Sequence, residues 1–339
     1  MTPTETIADR PTNTPRRLER ARLSQLSAFV ERFGLVLVLL ATIALFTALE
    51  PDTFFTMDNL RSILASQSVL AILAIAALIP LVVGQFDLSV AAILGICSLA
   101  GGALMSDGNV PLALAVAGAL TLGALLGLFN GLLVARIGVN SIITTLGTAS
   151  IIAGLALWYS KGIGITSGIS PNLIEFGRQR WLSVPTVFFI LIAIAAAVGY
   201  LMRATPFGRS LTATGANERA AFLVGLPVSR LKVICFVLAG LVAGCGGMAQ
   251  LATSGQADPS FGPNLLLPAL TAVFLGSTTI RPGEYNVLGT LVAIAFLAAS
   301  LSGLVLVGAP AWIEPTYNGV ALIVAVALSA VLRRRRAGT

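Results

Sequence analysis

Ten stretches of this chain are long, apolar and almost free of charge. They run over residues 34–49, 63–83, 88–105, 110–134, 141–159, 184–202, 231–251, 264–280, 286–307 and 312–332. A helix needs about 20 apolar residues to cross the hydrocarbon of a bilayer, and a spanning segment must satisfy its backbone internally. Composition points the same way. Only 10% of the residues are charged, where a soluble domain uses roughly a quarter to coat its surface. The reading is an all-α, polytopic transmembrane bundle of about ten helices in contact with membrane lipid. The third and eighth runs are short and flanked by tight turns, so each is either a full span or a re-entrant or broken helix lining a cavity.

The basic residues orient these spans. With the N-terminus in the cytoplasm, seventeen of the 21 lysines and arginines fall on the inner side, leaving Arg61, Lys161, Arg178 and Arg180 outside. That asymmetry predicts an even number of spans and two cytoplasmic termini. The chain divides into an N-terminal tail (1–33), a transmembrane domain (34–332) with a cytoplasmic loop at 203–232, and a C-terminal tail (333–339). The net charge of +7 brackets helices and builds no aromatic-basic face, so no nucleic acid partner is expected.

Catalytic chemistry finds few residues. Histidine is absent, which removes the commonest general base and metal ligand. Cys97, Cys235 and Cys245 sit in apolar runs without metal or redox spacing, and read as buried small residues. No GxSxG, HExxH or P-loop occurs, so neither catalysis nor ATP binding is expected of this chain, and no cofactor or metal. Gly118, Gly123, Gly127 and Gly131, with Gly240, Gly244, Gly246 and Gly247, mark helix faces of close backbone approach, which serve tight helix packing or touch a solute.

Two polar segments stand out. In the loop 203–232, Asn217 is a candidate N-cap for a short amphipathic helix at 218–224, ended by Gly225 and Pro227. Held beneath a membrane, such a helix either docks into a partner's groove or is a solvated loop helix. In the hairpin between the second and third runs, Gln85, Asp87 and Ser89 gather polar groups at membrane depth. An ionisable group there costs roughly 2.5–3.5 kcal/mol by insertion measurements. Asp87 therefore either lines a translocation path or caps the following helix. Glu284 pairs by spacing with Arg281, and the loop 160–183 is either a connector or a contact for an extracytoplasmic protein.

The loop around Gly215, Asn217, Ala220, Ala221 and Gly225 resembles the coupling-loop motif (A-x-G-x-N-x-x-A-A-x-x-x-G) of ABC-importer permeases of the ribose and monosaccharide type. Gly84–Gln85–Phe86–Asp87–Leu88–Ser89–Val90 resembles the family's G-G-x-D-L-S-V-G, and Asn130–Gly131 with Thr145–Leu146–Gly147–Thr148 its N-G-x-x-V and T-L-G-T. Gly276–Ser277, Gly283 and Gly289–Thr290 are similar to its C-terminal glycine-rich motif. The four motifs occur in the family's order over residues 35 to 332. The chain departs from the pattern at Gln85, Ala91, Ala92, Asn140–Ser141 and Arg281–Tyr285, changes that bear on the solute more than on the fold.

The resemblance implies the permease subunit of an ATP-binding-cassette importer in a bacterial plasma (inner) membrane. Its partners would be an ATP-binding cassette subunit, an extracytoplasmic solute-binding protein, a second permease subunit in a homo- or heterodimer, and a small-molecule solute. By the same resemblance Gly215, Asn217, Glu218, Ala220, Ala221 and Gly225 would couple to the ATP-binding subunit, while Gln85, Asp87, Ser89 and Asn130 would lie on the translocation path. A monosaccharide or polyol fits the shortage of intramembrane charge. Branched-chain amino acids or nucleosides are the alternatives within the family, and an ion-coupled secondary transporter is the rival class.

Overall fold

A computed structural model describes residues 14–337, leaving the outermost residues of both predicted tails outside the description. Among these residues, fourteen α-helices, one π-helical turn (Leu133–Ile137, continuing α4) and one hairpin of two-residue strands follow in chain order: α1 (Thr14–Leu49), α2 (Met57–Val82), α3 (Val90–Ser106), α4 (Leu112–Leu132), α5 (Ser141–Ser160), α6 (Pro171–Arg178), β1 (Arg180–Trp181), β2 (Val184–Pro185), α7 (Thr186–Ala204), α8 (Pro206–Ala216), α9 (Glu218–Leu223), α10 (Val228–Ser254), α11 (Phe261–Asn264), α12 (Leu266–Gly276), α13 (Val287–Leu306) and α14 (Ile313–Ala337). Among the described residues, eight helices are long and apolar enough to cross a membrane. The remaining two predicted runs are shorter. The third becomes α3, of 17 residues, and the eighth is broken at Leu265 into α11 and α12. At 1.5 Å per residue α3 reaches about 25 Å, less than the roughly 30 Å hydrocarbon layer.

Local chemistry sets the boundaries. Thr56 caps α2 through the Asn59 amide, Asn140 caps α5 through Ile142 and Ile143, and Asn286 caps α13 through Gly289. The chain leaves α2 through Gly84, whose φ of +75° suits a residue without a Cβ.

Two helices form the centre. In the most apolar stretches of α2 and α10, 67% and 61% of the residues are buried, against 6% in α1 and 17% in α14. The peripheral helices expose apolar side chains such as Leu40, Ile151, Trp158 and Ile323, the surface expected of helices solvated by lipid. α10 packs on α4 through Gly123, Gly127, Gly131, Gly240 and Gly244, whereas Gly118 and Gly247 face α3 and Gly246 faces α3 and α2. A Cβ at Gly123 or Gly127 would overlap the backbone of Gly240 or Phe236, and one at Gly240 would overlap Gly123. These positions are a helix–helix seam with backbones in contact.

The loop 160–183 is not a free connector. It folds into α6 and the β1–β2 hairpin, pairs Ile165 with Ala257 as an antiparallel bridge, and presses Gly177 onto the backbone of Ala252. Arg281 and Glu284 lie within ion-pair distance, at 3.9 Å.

Candidate functional site: a polar turn, a helix pair and a cavity

The non-helical residues 83–89 join α2 to α3 and need partners for their amides, because buried backbone groups without them are costly. The Val83, Gly84 and Gln85 amides bond back to α2 carbonyls, and two of the later ones find partners on one face of α5. The Phe86 amide donates to Ser141 Oγ at 3.3 Å and the Leu88 amide to Thr145 Oγ1 at 3.1 Å. Asp87 is buried, and its Oδ1 accepts from the Ser89 amide at 2.9 Å and the Ser89 hydroxyl at 2.6 Å. The Asn130 amide group of α4 donates to Ser89 Oγ at 2.8 Å, and Asn130 Oδ1 accepts from Thr148 Oγ1 at 2.7 Å. A single chain of bonds thus runs Asp87–Ser89–Asn130–Thr148, joining the turn, α4 and α5.

Three of the four predicted path residues therefore meet in one buried cluster, and Gln85 does not join them. Asp87 holds the first residues of α3 in the manner of a cap, since the Ser89 side chain makes no capping bond itself. Its second oxygen, Oδ2, is buried and has no hydrogen-bond partner among the described residues. Ser141, Thr145 and Thr148 were not among the predicted site residues. Their signal is the spacing of four and three residues along α5, which places their hydroxyls on one helix face.

The predicted coupling residues divide between two helices rather than one. α8, missed in the sequence, begins at the Thr205 cap with Pro206 in its first turn and carries Gly215. A Cβ on Gly215 would overlap the Val82 carbonyl at the end of α2, so α8 sits directly against the entrance to the Asp87 turn. α9 follows as read: Asn217 Oδ1 accepts from the Ala220 amide at 3.0 Å, Ala221 is buried, and Gly225 turns the chain at φ +87°. Glu218 accepts from Lys232 Nζ of α10 at 2.7 Å, with the lysine buried. On the other side Phe222, Leu223 and Val224 are 69–78% exposed.

At the opposite half of α2 lies a cavity of about 770 Å³, lined by residues of α2, α10, α11, α12, α13 and α14. None of Gln85, Asp87, Ser89 or Asn130 lines it.

Comparison with known proteins places this geometry. The chain is 33% identical over 294 residues to the ribose import permease protein RbsC of Escherichia coli K12, covering 86% of this chain and 91% of that protein. It is 30% identical over 307 residues to the L-arabinose ABC transporter permease protein AraH of Azospirillum brasilense, covering 91% and 90%. With the autoinducer 2 import system permease protein LsrC of Klebsiella pneumoniae it shares 32% identity over 310 residues, covering 91% and 87%. No solved structure matches it. The model of the branched-chain amino acid transport system / permease component family matches residues 59–331, and the chain, a multi-pass membrane protein, belongs to that family.

Proposed function

We propose that this chain is the membrane-spanning permease subunit of an ATP-binding-cassette importer for a small, uncharged, hydroxyl-rich solute of the monosaccharide class. In this reading the α8–α9 end faces the cytoplasm of a bacterial cell and receives an ATP-binding subunit. The opposite end takes solute from an extracytoplasmic binding protein, and a second permease subunit completes the path.

The observation that carries the reading is the construction of α8 and α9. One side is anchored to the bundle by Gly215 on Val82, the buried Ala221 and the Glu218–Lys232 pair. The other offers Phe222, Leu223 and Val224 to solvent. Three consecutive exposed apolar residues on a polar loop suit a partner's groove. A push on α9 reaches α10 through Lys232 and α2 through Gly215, so a docked subunit that closes would move both central helices as rigid bodies. Relatives named for ribose and L-arabinose import support the solute class.

The test is uptake of labelled D-ribose and L-arabinose by cells carrying the complete importer. Gly215→Leu and Ala221→Leu are expected to abolish it while leaving the chain in the membrane. Uptake that survives both substitutions contradicts docking at this place.

A further inference from the structure

The cavity beside the first half of α2 differs from the rest of the buried interior in its chemistry. Four residues with side-chain amides line it from four elements: Gln67 of α2, Gln250 of α10, Asn264 of α11 and Asn318 of α14. Asn318 is 7% exposed, and its Oδ1 has no hydrogen-bond partner among the described residues. Such an atom loses its bonds to water on burial and normally acquires a replacement. Asn318 stands in the cavity wall, although Oδ1 itself is closed off from the open space. The volume, about 770 Å³, falls among those of small-molecule sites, about 300–1,000 Å³.

We infer that this cavity is the solute chamber of the permease, and that Gln67, Gln250, Asn264 and Asn318 hold the hydroxyl groups of a small, uncharged, polyhydroxylated solute. The assignment rests on the permease reading above and gives it a location. A carboxamide both donates and accepts, as does a hydroxyl group, so each amide can meet a hydroxyl in either sense. An amino acid would need a cationic partner for its carboxylate. The lining contains no lysine or arginine, and Glu314 is its one ionisable residue. Phe261 adds an aromatic ring to the wall, suited to the C–H face of a sugar.

The chamber's position fits its role. Gln67 precedes Val82 by fifteen residues, about 22 Å along α2, which separates the chamber from the α8–α9 end by most of a bilayer's thickness. Solute would enter at one end while force arrives at the other, both on α2.

The test uses cells lacking other uptake of the probes and expressing the chain with its ATP-binding and solute-binding partners. Initial uptake of labelled D-ribose, L-arabinose, D-xylose, D-galactose and glycerol is measured for wild type, Gln67→Leu and Asn318→Leu. Both substitutions remove the hydrogen-bonding groups, and leucine has the same number of side-chain heavy atoms as asparagine and one fewer than glutamine. Wild type is expected to carry at least one probe, and each variant to lower that rate about tenfold or more, with unchanged amounts in the membrane and unchanged thermal unfolding of the purified chain. Asn318→Gln is expected to recover part of the loss. Variants that insert normally and transport within about twofold of wild type overturn the chamber and leave the permease reading standing. Wild type that carries no probe but takes up labelled L-leucine overturns the hydroxyl-rich solute class, and with it the ligand assigned to the chamber.

Discussion

The two ends of α2 are built on opposite plans. At Val82 everything is closed. Gly215 of α8 rests on the backbone, the Asp87 turn is bonded to α5, and Asn130 ties α4 into the same cluster. Around Gln67 the helix faces a cavity, and Oδ1 of Asn318 in its wall has no hydrogen-bond partner among the described residues. Polar groups inside a membrane protein are expensive in either place. The closed end satisfies most of them internally, which gives a stiff joint suited to receiving force. The open end sets Gln67, Gln250, Asn264 and Asn318 around a cavity, which gives a surface suited to receiving a ligand.

The sharpest way to break this contrast is at the joint. Gly215→Leu drives a side chain into the Val82 carbonyl, and uptake should be lost although the chamber is untouched. A variant that transports normally would show that α8 is not seated as described. Next in size is Gly240→Leu in the α4–α10 seam, which has no space for a side chain. Overpacking there is expected to destabilise the purified chain by about 3 kcal/mol or more, read from its thermal unfolding.

A subtler pair separates structure from charge at the closed end. Asp87→Leu strips the acceptor from the Ser89 amide and hydroxyl, which should destabilise by about 1–3 kcal/mol and lower uptake with it. Asp87→Asn retains an acceptor oxygen and should keep uptake within about threefold of wild type, a change of under about 1 kcal/mol. Loss of uptake in a stable Asp87→Asn variant would instead make the charge itself part of the translocation path. The smallest effect is expected from Glu218→Gln. Its side chain is half exposed, the Lys232 bond can pass to the new amide oxygen, and unfolding should shift by less than about 1 kcal/mol.

How much of this was legible in the residues follows from how local each feature is. The apolar runs predicted the long helices because hydrocarbon thickness imposes a length on any spanning segment. The same criterion marked α3 and the broken α11–α12 as the two short elements. Glycines four residues apart predicted faces of close backbone approach, though not that those of α4 and α10 meet, and Asn217 predicted the start of α9. α8 was missed because Pro206–Ala216 is rich in Gly, Ser and Thr, poor helix formers, and packing against α2 decides its structure. Gln85, Asp87, Ser89 and Asn130 were read as a group, of which the structure joins the last three; their partners on α5 were not read, since only the fold brings the α5 hydroxyls beneath the turn. The cavity left no trace at all. Gln67, Gln250, Asn264 and Asn318 lie on four separate elements, and no spacing along the chain encodes their meeting.

The most direct measurement is co-purification of the ATP-binding partner with the chain. The double substitution Phe222→Asp, Leu223→Asp changes only side chains that are 69% and 77% exposed, so the bundle should insert and unfold like wild type. Wild type is expected to retain the partner through purification and the variant to lose it, together with uptake. A variant that retains both would contradict the placement of the coupling surface on α9.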